Sequence, residues 1–294
     1  MANTKDIQRR IKSIGNTKKI TRAMEMVAAS KMRKAVEATL ATRTYANLSW
    51  ETLLNLSKGS AGALHPLLEA RPEIKRQAVI VITSNRGLCG GFNSALLGLV
   101  RADKSSIPTD IVLVGKKGES LGATYPIIAQ FPYPEAGLDS SAIMPIARLV
   151  SEGFLSKKYD RIFVAFTDFI NAARQVPRLK QLLPVTMAES EEDFIEAKAE
   201  KHSHRDQYQF EYLFEPKPEA VLSAIVPRLL EIQLYQALLE SFASEHSARM
   251  AAMHQATEAA NDLGVELTLS YNKARQSAIT AEIAEITAGV AALN

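Results

Sequence analysis

The sequence predicts an α/β protein in which the two ends of the chain form a long antiparallel coiled coil and an α/β domain is inserted between them. Three observations carry that expectation. Residues 3–57 contain no Pro and one Gly (Gly15), and residues 228–294 contain no Pro and two Gly (Gly264 and Gly289). The middle instead holds short runs of Val and Ile separated by helical patterns. Aromatics make up only 6% of the 294 residues, with Trp50 the one tryptophan, while Ala is abundant near both ends. Small side chains of that kind suit long helices packed closely together.

The N-terminal stretch shows apolar or small residues at Ile7, Ile11, Ile14, Thr17, Ile20, Met24 and Val27, a three/four spacing that marks one helix stripe. At 1.5 Å per residue this helix is ~80 Å long, and Gly59 and Gly62 end it. AVIVIT (78–83), DIVLVG (110–115) and RIFVAF (161–166) read as strands. The Gly-rich NRGLCGGFN (85–93) and an apolar SALLGLV follow the first of them. A helix is expected over 141–157, the Pro-rich YPIIAQFPYPE reads as a loop, and YQFEYLF (208–214) as a further strand. Strands this rich in β-branched residues, alternating with helices, indicate a parallel sheet covered on both faces, a Rossmann-like α/β domain.

Beyond Pro218 the helical pattern returns, and an unbroken helix there runs ~100 Å. From Met250 a strict 4-3 spacing visits Met253, Thr257, Ala260, Gly264, Leu267, Tyr271, Ala274 and Ala278. At Ile279 the stripe shifts by one residue and continues through Ile283, Ile286, Val290 and Leu293. The expected organisation is therefore an N-terminal coiled-coil helix (1–60), an inserted α/β domain (75–215) and a C-terminal coiled-coil helix (218–294).

With 47% apolar and 23% charged residues the chain is of soluble globular type, and wholesale disorder is excluded. The net charge is only +3, yet residues 5–34 carry ten Lys/Arg against Asp6 and Glu25, so the remainder sums to −5. A basic end on a near-neutral chain calls for an acidic partner. Nucleic acid fits poorly, because a full apolar stripe shares that helix and residues 1–44 contain no aromatic. One cysteine, Cys89, excludes an intrachain disulfide and fits a reducing compartment. No uncharged run reaches the ~18 residues that a membrane span needs.

Catalytic equipment is sparse. GLCGG after a strand brings backbone amides near a potential phosphate, but it matches neither G-x-G-x-x-G nor G-x-x-x-x-G-K-[ST]. It reads as a tight strand-to-helix turn. Cys89 has no marked partner His and reads as a structural thiol. His202 and His204 sit in a highly charged segment with no third ligand, so no metal site is expected.

The ends are more specific as words than as patterns. IKSIGNTKKITRAMEMVAASKMRKA (11–35), SEHSARMAAMHQAT (244–257) and YNKARQSAITAEIAEITAGVAAL (271–293) resemble the terminal helices of the gamma-subunit family of F-type ATP synthases, and TSNRGLCGGFN (83–93) its first strand and turn. The resemblance runs the length of the chain and is weakest at about 120–210. It implies a non-catalytic rotor that binds no nucleotide, cofactor or metal. Its partners would be the alternating alpha and beta subunits of a hexamer, the epsilon subunit and the membrane c-ring. Motif by motif it implies rotor contacts at Met24, Arg249, Arg275, Gln276, Thr280, Glu282 and Glu285, and an apolar bearing tip at Ile279, Ile283, Ile286, Val290 and Leu293. The absence of a presequence before MANTKDIQ points to a bacterial complex on the cytoplasmic face of the inner membrane. Two rival readings stand beside it: a nucleotide-binding α/β enzyme with a coiled-coil dimerisation stalk, and a coiled-coil scaffold without a motor role.

Overall fold

The computed structural model describes residues 4–59, 65–102, 107–134, 142–184 and 218–293. The strand read at 208–214 and the histidines His202 and His204 lie outside them. In chain order the elements are α1 (Thr4–Gly59), β1 (Gln77–Ile82), α2 (Phe92–Ala102), β2 (Thr109–Val114), β3 (Ile127–Phe131), α3 (Met144–Leu155), β4 (Arg161–Phe169), β5 (Gln175–Leu183) and α4 (Pro218–Leu293). They form two compact units, Ser30–Ala248 and Met1–Ala29 with Arg249–Asn294.

In the first unit the strands stand in the order β3-β2-β1-β4-β5. Contacts between β1 and β2, β1 and β4, and β2 and β3 are parallel, while β5 runs antiparallel to β4. The sheet is thus mixed, where a wholly parallel one was expected. β1 shows why both faces are covered. Its side chains alternate, Ile80 and Ile82 joining one core with Val150, Phe154, Leu230 and Leu238, and Val79 and Val81 joining another with Leu96 and Val100. A strand buried on both faces needs apolar residues at every position, and so it reads as a continuous run.

Two strands escaped the sequence reading. β3 (IIAQF) lies inside the segment taken as a Pro-rich loop, at the edge of the sheet, with its side chains alternately half-buried and exposed. β5 (QVPRLKQLL) carries Pro177 and two cations, tolerable on an edge strand because no second neighbour needs its donors. Arg178 is neutralised by Asp168 on β4 at 2.8 Å.

The ends of β1, β2 and β4 are tied by a polar network. Arg71 donates to Asp160 Oδ1 at 2.7 Å and to the carbonyls of Tyr159 and Phe154 at 2.8 and 2.6 Å. The backbone amides of Lys75 and Arg76 donate to Asp160 Oδ2. Tyr159 Oη donates to the buried Asp110 at 2.8 Å. Burial alone would raise the Asp160 carboxyl, but the Arg71 hydrogen bond and the two amides outweigh it and hold the group below the ordinary aspartate range. A depressed native pKa stabilises the fold above the unfolded-state value of about 3.9, and that contribution is lost as pH falls through the native value. We expect Asp160→Asn to cost about 1.5–3 kcal/mol at neutral pH. In urea titrations the gap from the parent should close as the pH is lowered through and below the ordinary aspartate range. An undiminished gap in acid would mean that the side chain acts through shape alone.

In the second unit α1 and α4 run antiparallel. Lys18 Nζ donates to Asn261 Oδ1 at 2.6 Å, the Thr21 and Thr257 hydroxyls share a 2.7 Å hydrogen bond, and Glu25 Oε1 lies 3.2 Å from His254 Nδ1. On α4 the expected stripe is the shielded one. Met253, Thr257 and Ala260 are buried, and Gly264, Leu267, Tyr271 and Ala274 half-buried. On α1 the expected stripe is shielded at Ile7, Ile11, Ile14 and Met24 but not throughout, and it breaks after Ile14. Beyond it Thr21 and Ala28 are buried at 8% and 1% exposure, while Ile20 and Val27 are exposed at 61% and 57%. The shielded positions Ile7, Ile14, Thr21 and Ala28 recur every seven residues, the period a supercoiled pair requires. Choosing the larger apolar residue at each turn drifts off that seam.

Candidate functional site

Ligands of open α/β sheets bind outside the carboxyl ends of the strands, where the strand order reverses. Here that point lies between β1 and β4, and it is filled by the chain itself. Ser241, Ser244 and Ser247 of α4 donate to the carbonyls of Ile82 at 3.5 Å, Thr167 at 3.0 Å and Ala172 at 2.7 Å. Three small hydroxyl side chains at a spacing of three let the helix approach closely and satisfy strand-end carbonyls that would otherwise face a ligand. The stripe is visible in SEHSARM and the residues before it, but sequence reasoning missed it.

The Gly-rich turn is likewise folded onto itself. The Ser84 amide donates to Asn93 Oδ1 at 3.1 Å, the Ser84 hydroxyl to the Arg86 carbonyl at 2.7 Å, and Asn93 Nδ2 approaches Cys89 Sγ at 3.2 Å. Cys89 is buried. Among the described residues no group of His, Cys, Asp or Glu could hold a metal ion.

The remaining candidate surface is the far end of α4. Continuing the register of the three polar pairs places Thr4, the first described residue of α1, level with about Arg275. Every residue from Arg275 to Gly289 is exposed. Arg275, Gln276, Thr280, Glu282 and Glu285 are therefore all presented to solvent, as are Ile279, Ile283 and Ile286. The backbone stays helical through Leu293; the side chains of Val290 and Leu293 lie outside the described residues. At 100° per residue these positions do not share one face. Arg275 and Glu282 fall on the side of Ile279, Ile283 and Ile286. Gln276 borders the same side next to Ile283, and Thr280 lies to one flank, donating to the Gln276 carbonyl at 2.9 Å. Glu285 lies on the other flank. Arg249 is buried and Met24 half-buried in the same compact unit, so neither belongs to this exposed group.

The family model described as ATP synthase matches residues 3–293. The chain is also 40% identical to the ATP synthase gamma chain of Herpetosiphon aurantiacus over the full length of both, and 42% identical to that of Dehalococcoides mccartyi, again over the full length of both. It belongs to the ATP synthase gamma-chain family. The fold of this gamma-chain family member recurs in solved assemblies. A chain of the Euglena gracilis mitochondrial ATP synthase aligns with a TM-score of 0.67 over 99% of this chain and 94% of that one, at 18% identity. A chain of the Tetrahymena thermophila mitochondrial ATP synthase central stalk and c-ring aligns with a TM-score of 0.58 over 81% and 99%, at 26% identity.

The exposed apolar end of this gamma-family chain has a measurable consequence. A helix without tertiary support opens readily, since its stability comes mainly from packing. Amide exchange over 279–294 should therefore be fast in the free chain and slow once alpha and beta subunits are added. Slow exchange in the free chain would show that the end is covered from within.

Proposed function

We propose that the chain is the central-stalk rotor of a bacterial F1Fo ATP synthase. It transmits rotation of the proton-driven c-ring to the alpha3beta3 hexamer and so couples proton flow to ATP synthesis and regulates ATP hydrolysis. The observation that carries this reading is the exposed run of α4 from Arg275 to Gly289, a single helix that continues past its partner. Apolar side chains there turn against an apolar sleeve without directional bonds to break, and no basic residue follows Arg275. Polar groups at Arg275, Gln276, Thr280, Glu282 and Glu285 supply contacts that hold one orientation at a time. Met24 and Arg249 contribute farther along the shaft, where the basic surplus of α1 suits an acidic lever on beta. Each catalytic beta subunit is then biased in turn between open and closed states.

On this reading the chain itself makes no bond and binds no nucleotide. The serines closing the strand-end crevice support that, since they occupy the place where an α/β enzyme would hold its ligand. The inserted α/β domain serves as a foot, contacting epsilon and the c-ring. Among the described residues no helix is long and apolar enough to cross a membrane. Attachment to the cytoplasmic face of the inner membrane runs through the ring.

The test is co-expression with alpha and beta subunits. Multisite ATPase activity should require this chain, and equilibrium dialysis of the chain alone against ATP or NAD should show no stoichiometric binding. Nucleotide binding to the free chain, with no effect on alpha and beta, would favour the enzyme reading instead.

A further inference from the structure

The carboxyl ends of the strands are closed by α4, which passes them at Ser241, Ser244 and Ser247 and leaves this unit at Ala248. The amino ends of β1, β2 and β4 form the opposite end of the unit, and they carry charge. Two segments lie side by side there. The Asp160 amide donates to the Arg76 carbonyl at 2.9 Å, and Gln77 pairs with Arg161 across the sheet. With Asp110 at the start of β2, they gather six cations (Arg71, Lys75, Arg76, Lys157, Lys158 and Arg161) and three carboxylates (Glu73, Asp110 and Asp160). Each carboxylate already has a cation: Asp160 has Arg71 at 2.7 Å, Asp110 has Arg76 at 3.0 Å and Glu73 has Lys75 at 3.2 Å. Lys157, Lys158 and Arg161 are left without a carboxylate among the described residues. They are a local surplus in a chain that sums to −5 outside residues 5–34. Lys157 and Lys158 are exposed and Arg161 half-buried, and the Lys158 and Arg161 head groups lie 5.1 and 5.7 Å from the Tyr159 and Phe163 rings.

Lys157 holds its place at a cost to the fold. It follows Ser156, the C-cap of α3, with φ at +62°. Glycine is the common choice there, because an L side chain is strained in that conformation. A cation for the helix C-terminus is already supplied by Lys158, so the strained one answers to something outside the unit.

We propose that Lys157, Lys158 and Arg161 form a docking surface for acidic loops of the c-ring. The proposal rests on the rotor reading, in which the α/β unit bears on the ring at the end that α4 does not leave by. Ring carboxylates complete the three ion pairs, and Leu155, exposed at the end of α3, adds apolar contact beside them. Solvated pairs of this kind add little to affinity singly, but together they speed encounter and fix orientation. A lipid surface fits less well, since recognition of anionic headgroups takes clusters of about four to eight cations.

The test binds complexes of alpha, beta, epsilon and this chain to c-rings in nanodiscs of neutral lipid, over a range of salt. Lys157→Gln/Lys158→Gln/Arg161→Gln should weaken binding about tenfold at low salt and flatten its salt dependence. Lys157→Gln/Lys158→Gln, which changes only exposed side chains, should show most of that loss and serves if the triple variant does not assemble. Lys157→Arg/Lys158→Arg keeps the charge and should match the parent. So should Arg148→Gln, whose cation is paired with Glu152. Parental binding and salt dependence in the glutamine variants overturn the proposal. So does a loss confined to ring-free nanodiscs of anionic lipid, or to binding of isolated epsilon, either of which assigns the cations to that partner instead. The rotor reading is checked separately on the parent: ATP hydrolysis by alpha and beta that does not need this chain would sink that reading, and this proposal with it.

Discussion

Gly115→Ala is expected to destabilise the α/β unit by about 3–5 kcal/mol, combining a forced left-handed backbone with overpacking against main chain. Gly115 follows β2 with φ at +90°, a conformation that L side chains rarely adopt. A Cβ built there lies 2.2 Å from the Thr83 carbonyl oxygen and 2.9 Å from its carbon. Neither atom can move alone. The Thr83 amide donates to the Val114 carbonyl at 2.9 Å, Gly115 N donates to Phe131 at 3.0 Å, and Lys116 and Lys117 both donate to the Ser84 carbonyl. The turn therefore joins the ends of β1, β2 and β3, and displacing it opens both ladders. In urea unfolding followed by circular dichroism, two controls separate the causes. Gly90→Ala, with φ at +55° and open space around it, isolates the backbone cost at about 1–2 kcal/mol. Gly98→Ala, inside α2 with nothing within 4 Å, should stabilise by about 0.5–1 kcal/mol. A Gly115→Ala chain no weaker than Gly90→Ala would show that the strand ends yield without cost.

The legible elements were those whose residues see one environment throughout. β1, β2 and β4 are buried on both faces, so their Val and Ile runs needed no context. The seam of α4 was legible because Met253, Ala260 and Leu267 are both the apolar and the packed residues. β3 and β5 were not, for a common reason: an edge strand is half solvated, so its residues form no continuous apolar run. Nothing in QVPRLKQLL announces that Asp168 will answer Arg178. The seam of α1 failed differently. Beyond Ile14 the packed Thr21 and Ala28 are polar or small while Ile20 and Val27 face outward, so there hydrophobicity ranked the wrong residues. The exposed end of α4 could be read from its apolar run without cations. The polar contacts there came from family resemblance, and their exposure agrees with a contact role without specifying one.

The second large effect is expected at that end. Arg275 and Gln276 stand where the shielded seam, with Tyr271 and Ala274 half-buried, gives way to the exposed apolar stripe from Ile279. Any subunit gripping the protruding helix meets these two polar side chains at the edge of that stripe. On the proposed rotor reading, a guanidinium there would make charge-assisted hydrogen bonds to carboxylate or carbonyl groups of one beta subunit at a time. Such a bond contributes about 1.5–3 kcal/mol, and a step slowed by 1.4 kcal/mol runs about tenfold slower. That is enough to bias a rotor between orientations and too little to lock it. Arg275→Ala or Gln276→Ala should accordingly lower turnover of the assembled complex several-fold. Assembly and nucleotide affinity at the first site should change little, because these side chains offer nothing to the nucleotide. Arg148→Ala serves as the control, since it removes a solvated cation of α3 paired with Glu152 and should leave turnover unchanged. The measurement is steady-state ATP hydrolysis and proton-driven synthesis in reconstituted complexes at matched assembly. Parental rates in both variants would take Arg275 and Gln276 out of the mechanism and leave the shape of the apolar helix as the coupling agent.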